Sequence, residues 1–139
     1  MRMPLFGLGV YQSSLSDTVL PVRAALDEGC RLIDSTCSDG NKAVVGLALR
    51  KSGLDRGEVF VTTKLEPASY GPEAALTAFE LSMSKLKIQV LDLYPLHWPV
   101  PLHFAITCAA WKVSEGLLRD GRVQAPRSLQ FHAGAACVG

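Results

Sequence analysis

The chain has no CxxC pair, no complete GxGxxG loop, no basic run and no long apolar stretch, and each absence removes a class of function. Cys30, Cys37, Cys108 and Cys137 lack paired metal-ligand spacing, so neither zinc nor a disulfide framework is indicated, and they read as buried thiols. No metal site is expected. A formal net charge of +1 without a basic cluster gives no electrostatic reason for a nucleic-acid partner. The apolar runs fall far short of the roughly 20 residues of a membrane helix, and the first residues lack a charged-then-apolar leader. No membrane partner and a cytoplasmic location are therefore expected. Gly7-Leu8-Gly9-Val10-Tyr11-Gln12 fails the dinucleotide fingerprint at its last glycine.

What is present is apolar material: 48% of 139 residues are hydrophobic, enough for one ordinary core. The β-branched and aromatic run Val59-Phe60-Val61-Thr62-Thr63-Lys64 reads as a short buried strand that ends on a lysine. Residues 31–34 and 90–97 read as similar strands, ending on Asp34 and His97. A first strand is expected over residues 3–10, its two glycines marking close backbone approach. Residues 121–123 look like the opening of a fifth strand.

Between the strands lie helical patterns. Ser16-Asp17-Thr18 offers caps for a helix with Val19, Val22 and Leu26 on one face, Pro21 in its first turn and Gly29 as its stop. A second helix passes through Val44, Val45, Ala48 and Leu49 and stops near Gly53. The third starts at Gly71-Pro72-Glu73 and carries Leu76, Phe79, Met83 and Leu86 at helical spacing. Residues 104–119 read as a fourth. Four strand–helix units imply a parallel sheet with right-handed crossovers. Periodicity favours neither an open sheet nor a barrel.

Several segments, in order and in register, are similar to the aldo-keto reductase family. They are Met3-Pro4-Leu5-Phe6-Gly7-Leu8-Gly9-Val10-Tyr11, Ile33-Asp34-Ser35-Thr36, Gly40-Asn41, Val59 to Leu65, and Leu91-Asp92-Leu93-Tyr94-Pro95-Leu96-His97-Trp98-Pro99. Trp111-Lys112, Glu115-Gly116-Leu117-Leu118 and Asp120-Gly121-Arg122-Val123 extend the match. The resemblance implies a parallel (β/α)8 TIM-type barrel, here truncated to about its first four β/α units. It also implies NADPH-dependent reduction of a small aldehyde or ketone substrate to an alcohol.

In that family an aspartate, a tyrosine, a lysine and a histidine form the site. The tyrosine protonates the carbonyl oxygen, the lysine paired with the aspartate lowers the phenol pKa, and the histidine orients the carbonyl. Asp34, Lys64 and His97 match the motif positions. At the tyrosine's place stands Asp39, and a carboxylate beside Lys64 tends to stay ionised, with no proton to donate. Gly9, Val10, Tyr11 and Asp34 match positions lining the nicotinamide end of the cofactor. Tyr11 and Trp98 match the aromatic pocket wall, where Glu66 replaces a common tryptophan.

Residues 1–124 therefore read as the N-terminal half of such a barrel. Residues 125–139 depart from the family pattern and read as a divergent, disordered tail, with Pro126 expected to interrupt the fifth strand. The half of the family barrel without a counterpart here carries most of the cofactor contacts, so activity is expected to be weak or absent. The alternatives are a catalytically inactive binding or regulatory fragment and a non-functional truncated product. A homodimer or a protein partner is expected to cover the open half-barrel.

Overall fold

The computed structural model describes residues 2–10, 15–35 and 40–128. Strands and helices alternate as β1 (Leu8–Gly9), α1 (Leu15–Asp27), β2 (Leu32–Asp34), α2 (Lys42–Lys51), β3 (Phe60–Thr62), α3 (Pro72–Leu86), β4 (Leu91–Leu96), α4 (Phe104–Arg119) and β5 (Val123–Ser128). All strand pairs are parallel, in the order β1-β2-β3-β4-β5. A doubly wound sheet reverses its order at a switch point, whereas here each strand is added on the same side, as in a barrel. The helices pack in the same succession, α1 on α2, α2 on α3 and α3 on α4. The chain is thus α/β, with four units of a (β/α) barrel and a fifth strand.

Helix α3 shows how the sequence sets these elements. Pro72 sits in its first turn, where a missing N–H is least felt. Ala75, Phe79, Ser82, Met83 and Leu86 then form a buried stripe. Leu76 was expected on that stripe but is 45% exposed, because Ala75 occupies the inward position and the next residue is rotated by about 100°. Phe79 meets Tyr94 of β4 edge-on, with ring centroids 5.3 Å apart. Arg122, just before β5, lies over the Phe79 ring, 5.2 Å from its centroid, and pairs with Glu80 at 3.0 Å. The Glu80 carboxylate, through that hydrogen bond, raises the Arg122 guanidinium above its ordinary pKa.

Two features fix how closely the layers approach. Gly46 faces α3 so tightly that a Cβ there would overlap the Leu86 carbonyl. At the amino ends of the strands, the nearly inaccessible Asp92 accepts the Val61 N–H at 2.8 Å and Arg56 Nη2 at 2.5 Å. Arg56 also donates to the Val59 and Val90 carbonyls, so one guanidinium joins the starts of β3 and β4.

Four expectations change. The first strand is only Leu8–Gly9, since β2 offers three residues to pair with. Pro21 lies inside α1 rather than in its first turn, as the helix begins at Leu15; Val22 and Leu26, both fully buried, hold the segment helical. Pro126 does not interrupt β5, which pairs with β4 through Tyr94 opposite Pro126 and continues to Ser128. This strand is the sheet's edge, where half of the backbone N–H groups face away and a proline is tolerated. Of the cysteines, Cys30 is a free thiol but Cys108 is disulfide-bonded, so the thiol reading fails there; Cys37 and Cys137 lie outside the described residues, as does the tail 129–139. Among the described residues no helix is long and apolar enough to cross a membrane.

Gly46→Ala adds a methyl against backbone that has no room for it. Overpacking costs about 1–3 kcal/mol against the ~1 kcal/mol that alanine gains in helix propensity, so the urea midpoint is expected to fall. Gly57→Ala is the control, because a Cβ there meets nothing within 4 Å. Equal midpoints for the two variants would contradict the close approach of α2 to α3.

Candidate functional site

Three adjacent strands end on the side chains singled out by sequence. Asp34 is the last residue of β2, Lys64 follows β3 by two residues and His97 follows β4 by one. Because side chains alternate along a strand, Lys64 shares a face with Thr62, which pairs in register with Asp34. Lys64 Nζ consequently reaches both oxygens of Asp34, at 2.7 and 2.5 Å, and Thr62 Oγ1 adds a long donor contact of 3.4 Å. The ammonium is the more sheltered partner, its side chain 14% exposed against 35% for Asp34.

His97 is set by backbone pairing. Leu65 bridges Leu96, the Leu65 N–H donates to the Pro95 carbonyl, and the His97 N–H donates back to Leu65 O at 2.9 Å. The residue after Lys64 and the residue before His97 are therefore direct cross-strand partners. The imidazole faces the Trp98 indole with centroids 5.6 Å apart, and that indole is about half exposed at the rim. Glu66, partly buried, opens the short 3₁₀ turn Pro67–Ser69 on the neighbouring loop.

Of the residues expected near a cofactor, Gly9 ends β1 with open space where a Cβ would stand, and Val10 is buried behind it. The Val10 N–H donates to the Asp34 carbonyl at 3.0 Å, joining the two strand ends. Tyr11 and Asp39 lie outside the described residues. Sequence reasoning missed Asn41 as a site-shaping residue, although it marked the Gly40-Asn41 pair. Its side chain does not cap α2; Nδ2 donates instead to Val10 O at 2.7 Å, holding the end of β1. The Tyr70 ring is buried, and its hydroxyl donates to Trp98 O at 2.6 Å.

A cavity of about 120 Å³ borders Lys64 and is lined also by Lys42, Glu66, Ser82 and Tyr94. A wider cleft of about 440 Å³ opens at the other end of the sheet, around Gly46, Arg56, Leu86 and Val90. The strand-end cluster and the wider cleft are thus separate. An ammonium clamped by a carboxylate presents fixed positive charge and spare donor capacity beside an imidazole that can donate or accept. That set suits polarising or protonating an oxygen atom.

A singly wound parallel sheet with Asp34, Lys64 and His97 at the carboxyl ends of its strands defines a protein of the (β/α)-barrel type. Residues 6–125 match the aldo/keto reductase family model, and the chain belongs to that family. Morphine 6-dehydrogenase from Pseudomonas putida is 45% identical over 125 residues, 90% of this chain and 42% of that protein. An aldo-keto reductase enzyme from a Medee basin deep-sea metagenome library superposes with a TM-score of 0.92 at 35% identity, covering 97% of this chain and 49% of its own. A mutant of Gox0644 in complex with NADPH gives a TM-score of 0.87 at 33% identity, covering 96% and 47%. The chain spans about half the length of these proteins.

The Asp34–Lys64 contact predicts energetic coupling. In a double-mutant cycle with Asp34→Asn and Lys64→Met, urea unfolding is expected to return about 1 kcal/mol of interaction energy, given a pair that is only partly sheltered from water. Strict additivity of the two substitutions would show that the ion pair does not hold in solution.

Proposed function

We infer that the strand-end cluster is the catalytic part of an oxidoreductase site of the family's kind, acting on a small aldehyde or ketone. The observation that carries this reading is the two-oxygen clamp of Asp34 on Lys64, one ladder step from His97. Lys64 holds positive charge where a carbonyl oxygen gains electron density, and Asp34 keeps that ammonium in place. His97 orients the same oxygen by hydrogen bonding. Glu66 and Trp98, on the two loops beside the cluster, form walls of the substrate pocket.

The family's cofactor is NADPH, which supplies hydride when bound. The chain's residues fit its nicotinamide end: Gly9 leaves open space, Val10 backs it, and Asp34 is partly exposed at the same strand ends. Tyr11 follows directly in sequence. The phenol that serves the family as proton donor is replaced by Asp39, so the proton has to come from His97 or from water. A general acid typically contributes about 10²- to 10⁴-fold in rate. The 139-residue chain alone is accordingly a weak reductase or an inactive one.

A second reading, a binding or regulatory chain, is favoured by apolar exposure at the open edge. Leu5 and Phe6, just before β1, are 97% and 86% exposed, and among the described residues β1 has a partner strand on one side only. A second copy or another protein would cover this edge.

NADPH binding measured by calorimetry on the purified chain, with light scattering on the same sample, separates the readings. We expect a dissociation constant weaker than roughly 0.1 mM, corresponding to less than about 5.5 kcal/mol of binding free energy. Saturable micromolar binding to a defined oligomer would overturn the weak-reductase expectation in favour of a rebuilt site. Asp39→Tyr restores the phenol and is expected to raise carbonyl reduction at high NADPH by at least ~10-fold if the proton donor limits the rate. An unchanged rate would place the limit in cofactor binding.

A further inference from the structure

The loop after β3 and the loop after β4 lie on two sides of the strand-end cluster, and past their backbone pairing the Tyr70 hydroxyl joins them. Backbone pairing between these segments ends at the His97 N–H on Leu65 O. Beyond it, Pro99 has no N–H, and the Val100 N–H turns to its own helix, donating to Thr107 Oγ1 at 3.1 Å. Across this gap the Tyr70 hydroxyl donates to the Trp98 carbonyl at 2.6 Å, from a ring packed in the core at 8% exposure. The Tyr70 N–H in turn donates to Pro67 O, closing the short turn that begins next to Glu66.

We propose that Tyr70 is a positioning residue: its hydroxyl latches the His97–Trp98 turn to the loop bearing Lys64 and Glu66, and so sets His97 and the Trp98 indole relative to the Asp34–Lys64 clamp. The assignment of a role to that geometry rests on the reductase reading, but the latch is tested without cofactor or turnover. A short hydrogen bond from a buried phenol is directional, and its ring is held by packing, so the carbonyl it binds has little freedom. The Trp98 peptide is thereby fixed, and with it the two side chains on either side of the His97–Trp98 bond. Tyr70 never approaches the reacting atoms; it acts through the backbone of its neighbours.

The test is Tyr70→Phe in full-length protein carrying Trp111→Phe, so that Trp98 is the sole indole. The ring and its packing are kept and only the hydroxyl is lost. A net hydrogen bond of about 0.5–1.5 kcal/mol corresponds to roughly 2- to 10-fold faster amide exchange at His97 and Val100, with Val61 unchanged. The His97 imidazole resonances are expected to shift and the Trp98 emission to become more quenchable by acrylamide. Unchanged exchange and unchanged His97 and Trp98 signals would overturn the proposal, as would a uniform rise in exchange that included Val61. If the variant fails to fold, the unsubstituted protein decides: a slowly exchanging Tyr70 hydroxyl proton with cross-peaks to Trp98 and Pro99 supports the latch, and its absence overturns it. The outcome of the NADPH titration bears on the reductase reading alone and leaves these signals as they are.

Discussion

Strand register is the constraint on which the rest of this structure depends. In a parallel sheet a slip of one residue sends every side chain to the opposite face. Asp34 opposite Thr62 puts its carboxylate on the face shared by Lys64, and Leu65 opposite Leu96 puts His97 one step beyond. Any other register separates the ammonium from its carboxylate. The register is held at both ends of the strands. At the amino ends Asp92 and Arg56 tie β3 to β4, and at the carboxyl ends Lys64 and Asp34 tie β3 to β2. The two ion pairs are alike in chemistry but differ in burial: Asp92 is sealed beneath the sheet, while Asp34 is open enough to meet a ligand.

The helical layer follows from the same constraint. Because each strand joins on the same side of the last, the helices come into contact in sequence order. Gly46 lets α2 approach the Leu86 carbonyl of α3, and Phe79, Tyr94 and Arg122 stack from α3 through to the start of β5. The result, among the described residues, is a parallel sheet with β1 and β5 at its edges. Proline at position 126 is compatible with this only because β5 pairs on one side.

Much of this was legible in the chain itself. Residues 104–119 were expected as a helix from their spacing, and α4 occupies that span. The starting proline of α3 and the glycine stop of α1 were equally readable, since each reflects local backbone chemistry. So was the delivery of Asp34, Lys64 and His97 to strand ends. The misreadings share a cause. Leu76 and Ala75 compete for one inward position, and composition alone favours the larger residue; Pro126 reads as a breaker unless the strand is known to lie at an edge. The contact of Tyr70 was not legible either, because a tyrosine in a loop gives no sign of which distant carbonyl it will meet.

The sequence by itself determined the alternation of strands and helices, the family and the side chains delivered to the strand ends, because these are written in periodicity, turn residues and short motifs. The tertiary structure decided which of those side chains touch: the two-oxygen hold of Asp34 on Lys64, the use of Asn41 to pin Val10, the burial of Asp92 under Arg56 and the closure of Tyr70 on Trp98. Each joins residues about thirty positions apart. Contacts of that range depend on register and helix packing at once, and no local pattern encodes either.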